Sequence, residues 1–349
     1  MITFRISADE VESVARCPVC DGVRLRELSR VCQRDGVEFL ATARCEGCGL
    51  VVRHRRPTKA WFSRAFAERE RQQAAQGISA LNPAIEEERY QRYRRLALAL
   101  RERTEAGAAG RPAVLDVGCG PGTGLRAFAE VGFSATGIDE DNTRAGHGRA
   151  LGLAIVATAW ENYAPEQRFD VITCLHSIEH FHEPQALLEK MRSWLKPGGR
   201  IVIEVPNLAW FVADWTDALY LAHMANYTPA TLARLGRLAG FHAVERLRCY
   251  DDDRKNRENL CLVFTAETPA APGPAVGGEE DEPSWESVAR LYGTGLAPGL
   301  AAPYVFEVPA INDISLGYKN STRISANLRE NLHMRSARLE AGSRRLVVE

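Results

Sequence analysis

Lysine is scarce in this chain of 349 residues: 5 of its 44 basic side chains are lysine and the other 39 are arginine, a bias that a GC-rich genome is enough to produce. The chain has no apolar run near the roughly 18 residues needed to cross a bilayer. Its opening, MITFRISADE, carries acids where a secretory leader has an apolar core. A cytoplasmic chain with no membrane span is therefore expected. Net charge is also nearly absent: 44 basic against 45 acidic side chains leave −1, which excludes general coating of polyanions. There is no internal repeat and no disulfide framework. Of nine cysteines, four fall into two CxxC pairs and five are scattered, a pattern of reduced thiols and a metal site. The sequon Asn320-Ser321-Thr322 is then read as chance.

Five segments follow from patterning. Residues 1–58 hold short strand-like runs around the cysteine pairs. Residues 59–110 are helical in period: Asn82-Pro83 makes a cap and first turn, and Tyr90, Tyr93, Leu96 and Leu100 recur at helical spacing. Residues 111–266 alternate short β-branched runs with helical stretches, which predicts a doubly wound, mostly parallel α/β sheet. Strands are expected at 113–117, 134–139, 153–157, 169–175 and 200–206, with two more near 242–250 and 259–265. Residues 267–283 are rich in Pro, Gly and acids and read as a linker. Residues 284–349 form a tail with one or two possible helices and no chemical motif.

The turn after the first of these strands is Asp116-Val-Gly118-Cys-Gly120-Pro-Gly122. Glycines there let the backbone turn sharply and approach a ligand at the carboxyl ends of the strands. An acid closes the strand before them, and a second, Asp139, ends the next strand, where it can accept both hydroxyls of a ribose. VLDVGCGPGTGL (114–125), GID (137–139), FDVITCLHSIEH (169–180) and LKPGGRIVIEVPN (195–207) resemble the class I S-adenosylmethionine-dependent methyltransferases over roughly residues 111–266. The resemblance implies their Rossmann-like, seven-stranded sheet and S-adenosylmethionine as cofactor. It implies that Asp116, Gly118, Gly120 and Gly122 carry the methionine part, that Asp139 holds the ribose, and that Trp160 and Leu175 flank the cofactor. The acid that the family usually places beside the adenine is missing at Ala159-Trp160.

HSIEHFHEP (176–184) also matches an inverted zinc-protease string, but it begins at a strand end and Pro184 follows, so it is read as a decoy. In the family this loop lines the cofactor and faces the acceptor, and many relatives carry Glu-His at the position of Glu179-His180. Methyl transfer from a sulfonium is an in-line displacement, and a hydroxyl is a poor nucleophile unless its proton leaves as the bond forms. His180 is the candidate base, His176 the second, with Glu179 between them; histidines that merely shape the loop are the plain alternative.

Cys17-Pro-Val-Cys20 and Cys45-Glu-Gly-Cys48 form C-x2-C-x24-C-x2-C around a span with alternating apolar residues and Gly36, as in a short hairpin. Four thiolates complete a tetrahedral zinc and leave no place for substrate, so the expected ion is structural. CxxC redox chemistry is the rival, and Cys32 stands outside the set. The run CEGCGLVVRHRRPT resembles a subset of these methyltransferases with an N-terminal zinc ribbon, which act on sugars or other small metabolites in surface-polysaccharide or natural-product pathways. One group of that layout methylates sugar carbons but carries a large C-terminal domain; the tail here is short, which favours oxygen.

The stretch 207–229 holds Trp210, His223 and Tyr227, and with Tyr90 these are the candidate acceptor contacts, core packing being the alternative for each. The expected acceptor is a hydroxyl of a sugar, nucleotide-sugar or glycosylated metabolite. The alternatives are an RNA methyltransferase, a sugar C-methyltransferase, and a non-enzymatic binding module. The RNA reading draws on residues 44–103, where 14 basic side chains face 7 acidic ones. Arg53, Arg55, Arg56, Arg64, Arg92, Arg94 and Arg95 either face the site mouth or form a solvated face paired with Glu86, Glu87 and Glu88. The tail either docks on a neighbouring subunit of a homo-oligomer or completes the pocket.

Overall fold

A computed structural model of the protein describes residues 5–33, 35–75, 81–104, 110–208, 221–248, 259–266, 304–308, 337–339 and 345–348. Two sheets organise them. The first begins with β1 (Val11–Ser13), β2 (Leu25–Gln33), β3 (Glu38–Cys45) and β4 (Val51–Pro57). β2 and β3 form the expected hairpin. It turns at Gly36, whose φ of +89° is left-handed and open to glycine without strain. β4 lies between β3 and β1, antiparallel to both.

Two helices lead to the second sheet. α1 spans Lys59–Ala75 and α2 spans Pro83–Thr104. Asn82 caps α2 as expected, its Oδ1 accepting from the Ala84 N–H at 3.1 Å. The second sheet then alternates with helices as the sequence pattern requires: β5 (Ala113–Val117), α3 (Thr123–Glu130), β6 (Ser134–Asp139), α4 (Asn142–Ala150), β7 (Ile155–Ala157), β8 (Phe169–Leu175), α5 (Pro184–Ser193) and β9 (Leu195–Pro206). A two-residue strand, β10 (Ala225–Asn226), precedes α6 (Pro229–Leu238), β11 (Ala243–Arg246) and β12 (Asn259–Thr265). The strand order is β11-β12-β9-β8-β5-β6-β7. β5 to β9 run parallel, and β12 is antiparallel to β9. This is the mostly parallel, seven-stranded methyltransferase-type sheet that the sequence predicts. The order reverses beside β5, so the crevice at its carboxyl end is where a ligand is expected.

Helices cover both faces, and the strand period of two decides which residues meet which. On β12, Cys261 and Val263 pack with Tyr93, Leu96, Leu100 and Phe128 of α2 and α3. Leu260, Leu262 and Phe264 face the other way, against α5 and α6. Each such fully buried large side chain contributes about 1.5–3 kcal/mol.

Three features go beyond the sequence reading. Lys196-Pro-Gly-Gly199 forms a bulge inside β9: pairing jumps from Phe169–Leu195 to Val171–Arg200. Next, the described parts of the tail are strands: β13 (Tyr304–Val308), β14 (Ala337–Leu339) and β15 (Arg345–Val348). β13 runs parallel to β2, β15 parallel to β13, and β14 antiparallel to β15. A parallel partner needs a long crossover, and YVFEV has the β-branched and aromatic residues that strands favour. Finally, packing runs across residue 58. β10 pairs with β4, and Val19, Leu50 and Val52 share one apolar cluster with Ala225, Tyr227 and Leu232. The linker at 267–283 and most of the aromatic stretch, Trp210 included, lie outside the described residues.

Candidate functional site

β5 ends at Val117, and the chain turns through Gly118, Gly120 and Gly122 with φ of +74°, +55° and +81°. The amides of Gly118 and Cys119 both donate to the Ile138 carbonyl, at 2.8 and 3.1 Å. A Cβ on Gly118 would lie 2.4 Å from the Ser177 hydroxyl oxygen, and one on Gly120 2.8 Å from the Arg144 guanidinium. The turn thus needs glycine for conformation and for space alike. Asp139, at the end of β6, accepts from the Gly120 amide at 2.7 Å and from the Asp141 amide at 2.8 Å. Burial raises its carboxyl above the usual range, against Arg144 and those two amides, which lower it.

A cavity of about 460 Å³ opens over this turn. Gly118, Gly120, Asp139, Trp160 and Leu175 line it. So do Phe62 and Phe66 of α1, Arg89 and Tyr93 of α2, and His176, Glu179, His180 and His182 with Ala222 and Met224. Of these, the sequence reading missed Phe62, Phe66 and Arg89. Phe62 and Phe66, like Arg89 and Tyr93, stand four apart on one helix face, so helical period was the available signal.

Several expected residues lie off the cavity wall. Asp116 is buried beneath the turn, accepting from the Thr173 hydroxyl at 2.7 Å, and burial pushes its carboxyl up to about 7 against that hydrogen bond. Gly122 serves packing instead: a Cβ there would meet Leu153 at 2.5 Å. Tyr90 turns toward α3 and donates to Glu130. Tyr227 is buried in the core shared with the cysteine sheet. None of the seven singled-out arginines lines the cavity. Arg53, Arg56 and Arg92 turn inward, Arg55 meets Glu38 and Arg64 meets Glu10, while Arg94 and Arg95 are exposed.

The loop after β8 carries the histidines. Its hinge is His176, at φ +51°, and its Ile178–His180 segment is one 3-10 turn. The Ser177 hydroxyl donates to the Gly118 carbonyl at 3.1 Å and ties the loop to the glycine turn. Both ring nitrogens of His176 meet carboxylates: Nε2 lies 2.9 Å from Glu204 and Nδ1 3.6 Å from Glu179. Glu204 is fully buried and also meets Arg92, at 3.1 Å. Burial lowers the pKa of His176, but the two carboxylates outweigh it and the net shift is upward. This arrangement argues against His176 as a base, because the ring has no lone pair to offer while it is charged. A paired, raised histidine stabilises the fold fully below the unfolded pKa near 6.5. That contribution is lost as pH rises through the folded pKa. The melting-temperature gap between the protein and His176→Gln should accordingly be widest near about pH 6 and narrow toward about pH 9; a gap that widens with pH contradicts the pairing.

His180 is arranged differently. Its Nδ1 lies 2.9 Å from the Ala222 carbonyl oxygen, which can only accept. Nδ1 therefore carries a proton, so in the neutral ring the lone pair belongs to Nε2. The His223 ring is 4.9 Å away, centroid to centroid. Burial, then His180 and Arg53, hold the His223 pKa well below the usual histidine value. Ligand-type atoms of Glu179, His180 and His223 come within 4.8 Å of one another, and Glu179 is almost fully buried. Polar groups from two distant segments thus converge beside the cavity.

The four paired cysteines also converge. Cys17 Sγ lies 3.5 Å from Cys48 Sγ, and Cys20 Sγ 3.4 Å from Cys45 Sγ. The contact with Cys48 lowers the Cys17 thiol to about 5, while Cys45 is pushed up by burial and Cys48 by its bond to Cys17.

Residues 85–246 match the family model for a methyltransferase domain. The ubiquinone biosynthesis O-methyltransferase of Proteus mirabilis is 34% identical over 110 residues, 28% of this chain and 45% of that one. That of Idiomarina loihiensis is 35% identical over 127 residues, 33% of this chain and 51% of that one. The chain spans about half the length of these curated relatives. Among solved structures, the CcbJ methyltransferase from Streptomyces caelestis aligns with a TM-score of 0.41 at 19% identity, covering 49% of this chain and 88% of that one.

Proposed function

We propose that the chain, which carries a methyltransferase domain over residues 85–246, moves a methyl group from S-adenosylmethionine to a hydroxyl of a small acceptor: a sugar, nucleotide-sugar or glycosylated metabolite. The observation that carries this reading is the meeting, in one cavity, of the glycine turn, Asp139 and a histidine whose open nitrogen is fixed as Nε2.

When bound, the cofactor supplies an electrophilic methyl group on a sulfonium. Gly118 and Gly120 leave room for the backbone to approach its methionine part, and Arg89, the cation of α2 on the cavity wall, suits its carboxylate. Asp139 would accept from the ribose hydroxyls, and Trp160 and Leu175 would flank the cofactor. His180 would take the acceptor's proton at Nε2 as the new bond forms. Phe62 and Phe66 would exclude water.

Cys17, Cys20, Cys45 and Cys48 would hold one structural zinc. Tetrahedral Zn–S bonds of about 2.3 Å place sulfurs about 3.8 Å apart, close to the 3.4 and 3.5 Å found here. Inward-facing arginines favour the small acceptor over RNA. No helix among the described residues is long and apolar enough to cross a membrane.

Calorimetric titration with S-adenosylhomocysteine, followed by a structure of that complex, tests the reading: the sulfur should lie in the cavity facing His180. Absence of binding, or binding elsewhere, overturns it. Gly118→Ala should weaken that binding at least about tenfold, since left-handed backbone costs an L-residue about 1–2 kcal/mol and Ser177 must also move. Affinity within twofold of the parent would show that the turn does not hold the cofactor.

A further inference from the structure

We propose that Arg53, on the cysteine-rich sheet, is a positioning residue for His180. The inference rests on the reading of His180 as the base. His180 owes its open Nε2 to one contact, Nδ1 to the Ala222 carbonyl at 2.9 Å. That carbonyl belongs to a short strap, residues 221–227, which has no regular structure of its own beyond two strand residues.

The strap is gripped from both sides. On the site side, the Met224 amide donates to the Glu179 carbonyl at 2.7 Å. On the sheet side, β10 pairs with β4 through Ala225–Val52 and Asn226–Val51. Arg53 extends that pairing by one further residue. Its backbone amide donates to the Met224 carbonyl at 2.8 Å, and its Nε donates to the His223 carbonyl at 3.2 Å. The guanidinium is anchored in turn by Nη1, which donates to the Thr42 hydroxyl on β3. Arg53 is 1% exposed.

A guanidinium in a core is costly unless its donors are used, and here two of them are aimed at fixed oxygens. Charge-assisted bonds of this kind hold a carbonyl more firmly than a neutral donor does. The carbonyl held by Arg53 is next in the chain to the one that holds His180. With the strap fixed, the imidazole is confined to the tautomer with Nε2 open; with the strap loose, it exchanges between tautomers and turns about its bonds. Because Arg53 lies five residues after Cys48, the same contact carries the order of the cysteine cluster into the site.

The test uses the full chain labelled with 15N-histidine. In the parent, His180 should show one tautomer, protonated at Nδ1. In Arg53→Met it should show a mixture, with kcat down about tenfold or more and the acid limb of the kcat–pH profile displaced. Affinity for S-adenosylhomocysteine should stay within about threefold, because the contacts of Arg53 described above lie on the strap and β3 rather than at the glycine turn. Arg53→Lys, which keeps the charge and one donor, should recover part of kcat. Thr42→Val, which removes the anchor and leaves Arg53 in place, should shift the tautomer in the same direction by less, and it carries the test if Arg53→Met does not fold. An unchanged tautomer and kcat in Arg53→Met overturns the proposal, as does a loss of cofactor affinity in step with kcat. Should His180→Ala keep full turnover while Arg53→Met still mixes the tautomers, the base reading falls and the positioning contact stands.

Discussion

Cys45→Ser should lose its zinc and, with it, both stability and turnover. Cys45 is completely buried, and its sulfur sits 3.4 Å from that of Cys20, so a serine there supplies a poor ligand and a polar atom inside an apolar cluster. Structural zinc sites contribute about 10–16 kcal/mol of binding energy to folding, which is as large as the whole stability of most domains. Forfeiting even about 5 kcal/mol of it, at about 2–4 °C per kcal/mol, lowers the melting temperature by about 10 °C or more. The damage should not stop at the cysteine sheet, because β4 runs from the cluster to the strap beside His180. Elemental analysis should find one zinc per chain in protein made without chelator and almost none in Cys45→Ser. Cys32→Ser, outside the cluster, is the control and should keep its metal. A parent protein without zinc would sink the assignment.

His180→Ala should fold, bind S-adenosylhomocysteine about as well as the parent, and turn over slowly. The side chain is half-buried and makes one hydrogen bond to a carbonyl, worth about 1 kcal/mol, so stability changes little. Proton removal by a positioned base is worth about 10²–10⁴ in rate, far more than that loss of contact. The expected signature is a fall in kcat of that size with cofactor affinity within about threefold. Normal binding with full turnover would leave His180 no role as base. The same substitution at His176 tests the contrast, since its ring sits between Glu179 and Glu204 and should contribute through stability at low pH instead.

Much of this site was legible beforehand, and the reason is local. Gly118 and Gly120 need left-handed backbone, Asp139 ends its strand four residues before Thr143, and each fact follows from near neighbours in the chain. The two CxxC pairs are likewise short-range objects whose spacing limits what they can hold. Asp116, Gly122, Tyr90 and Tyr227 were drawn into the site by the same motifs and rhythms, yet the fold uses them for packing and buried hydrogen bonds. Which side of a turn or helix faces a cavity depends on what packs against it, and no single segment contains that information.

The sequence alone thus determined the main alternation of strands and helices over residues 111–266, the cysteine cluster and the glycine turn, because each is written in periodicity or in spacing of a few residues. The tertiary structure decided the rest. It set His180 against Ala222, forty-two residues away, and His176 against Glu204. It turned Arg53, Arg56 and Arg92 inward, and it laid β13 of the tail along β2 across most of the chain's length. These are contacts between distant segments, chosen by the burial of the whole, and a charge count along the chain carries no sign of them.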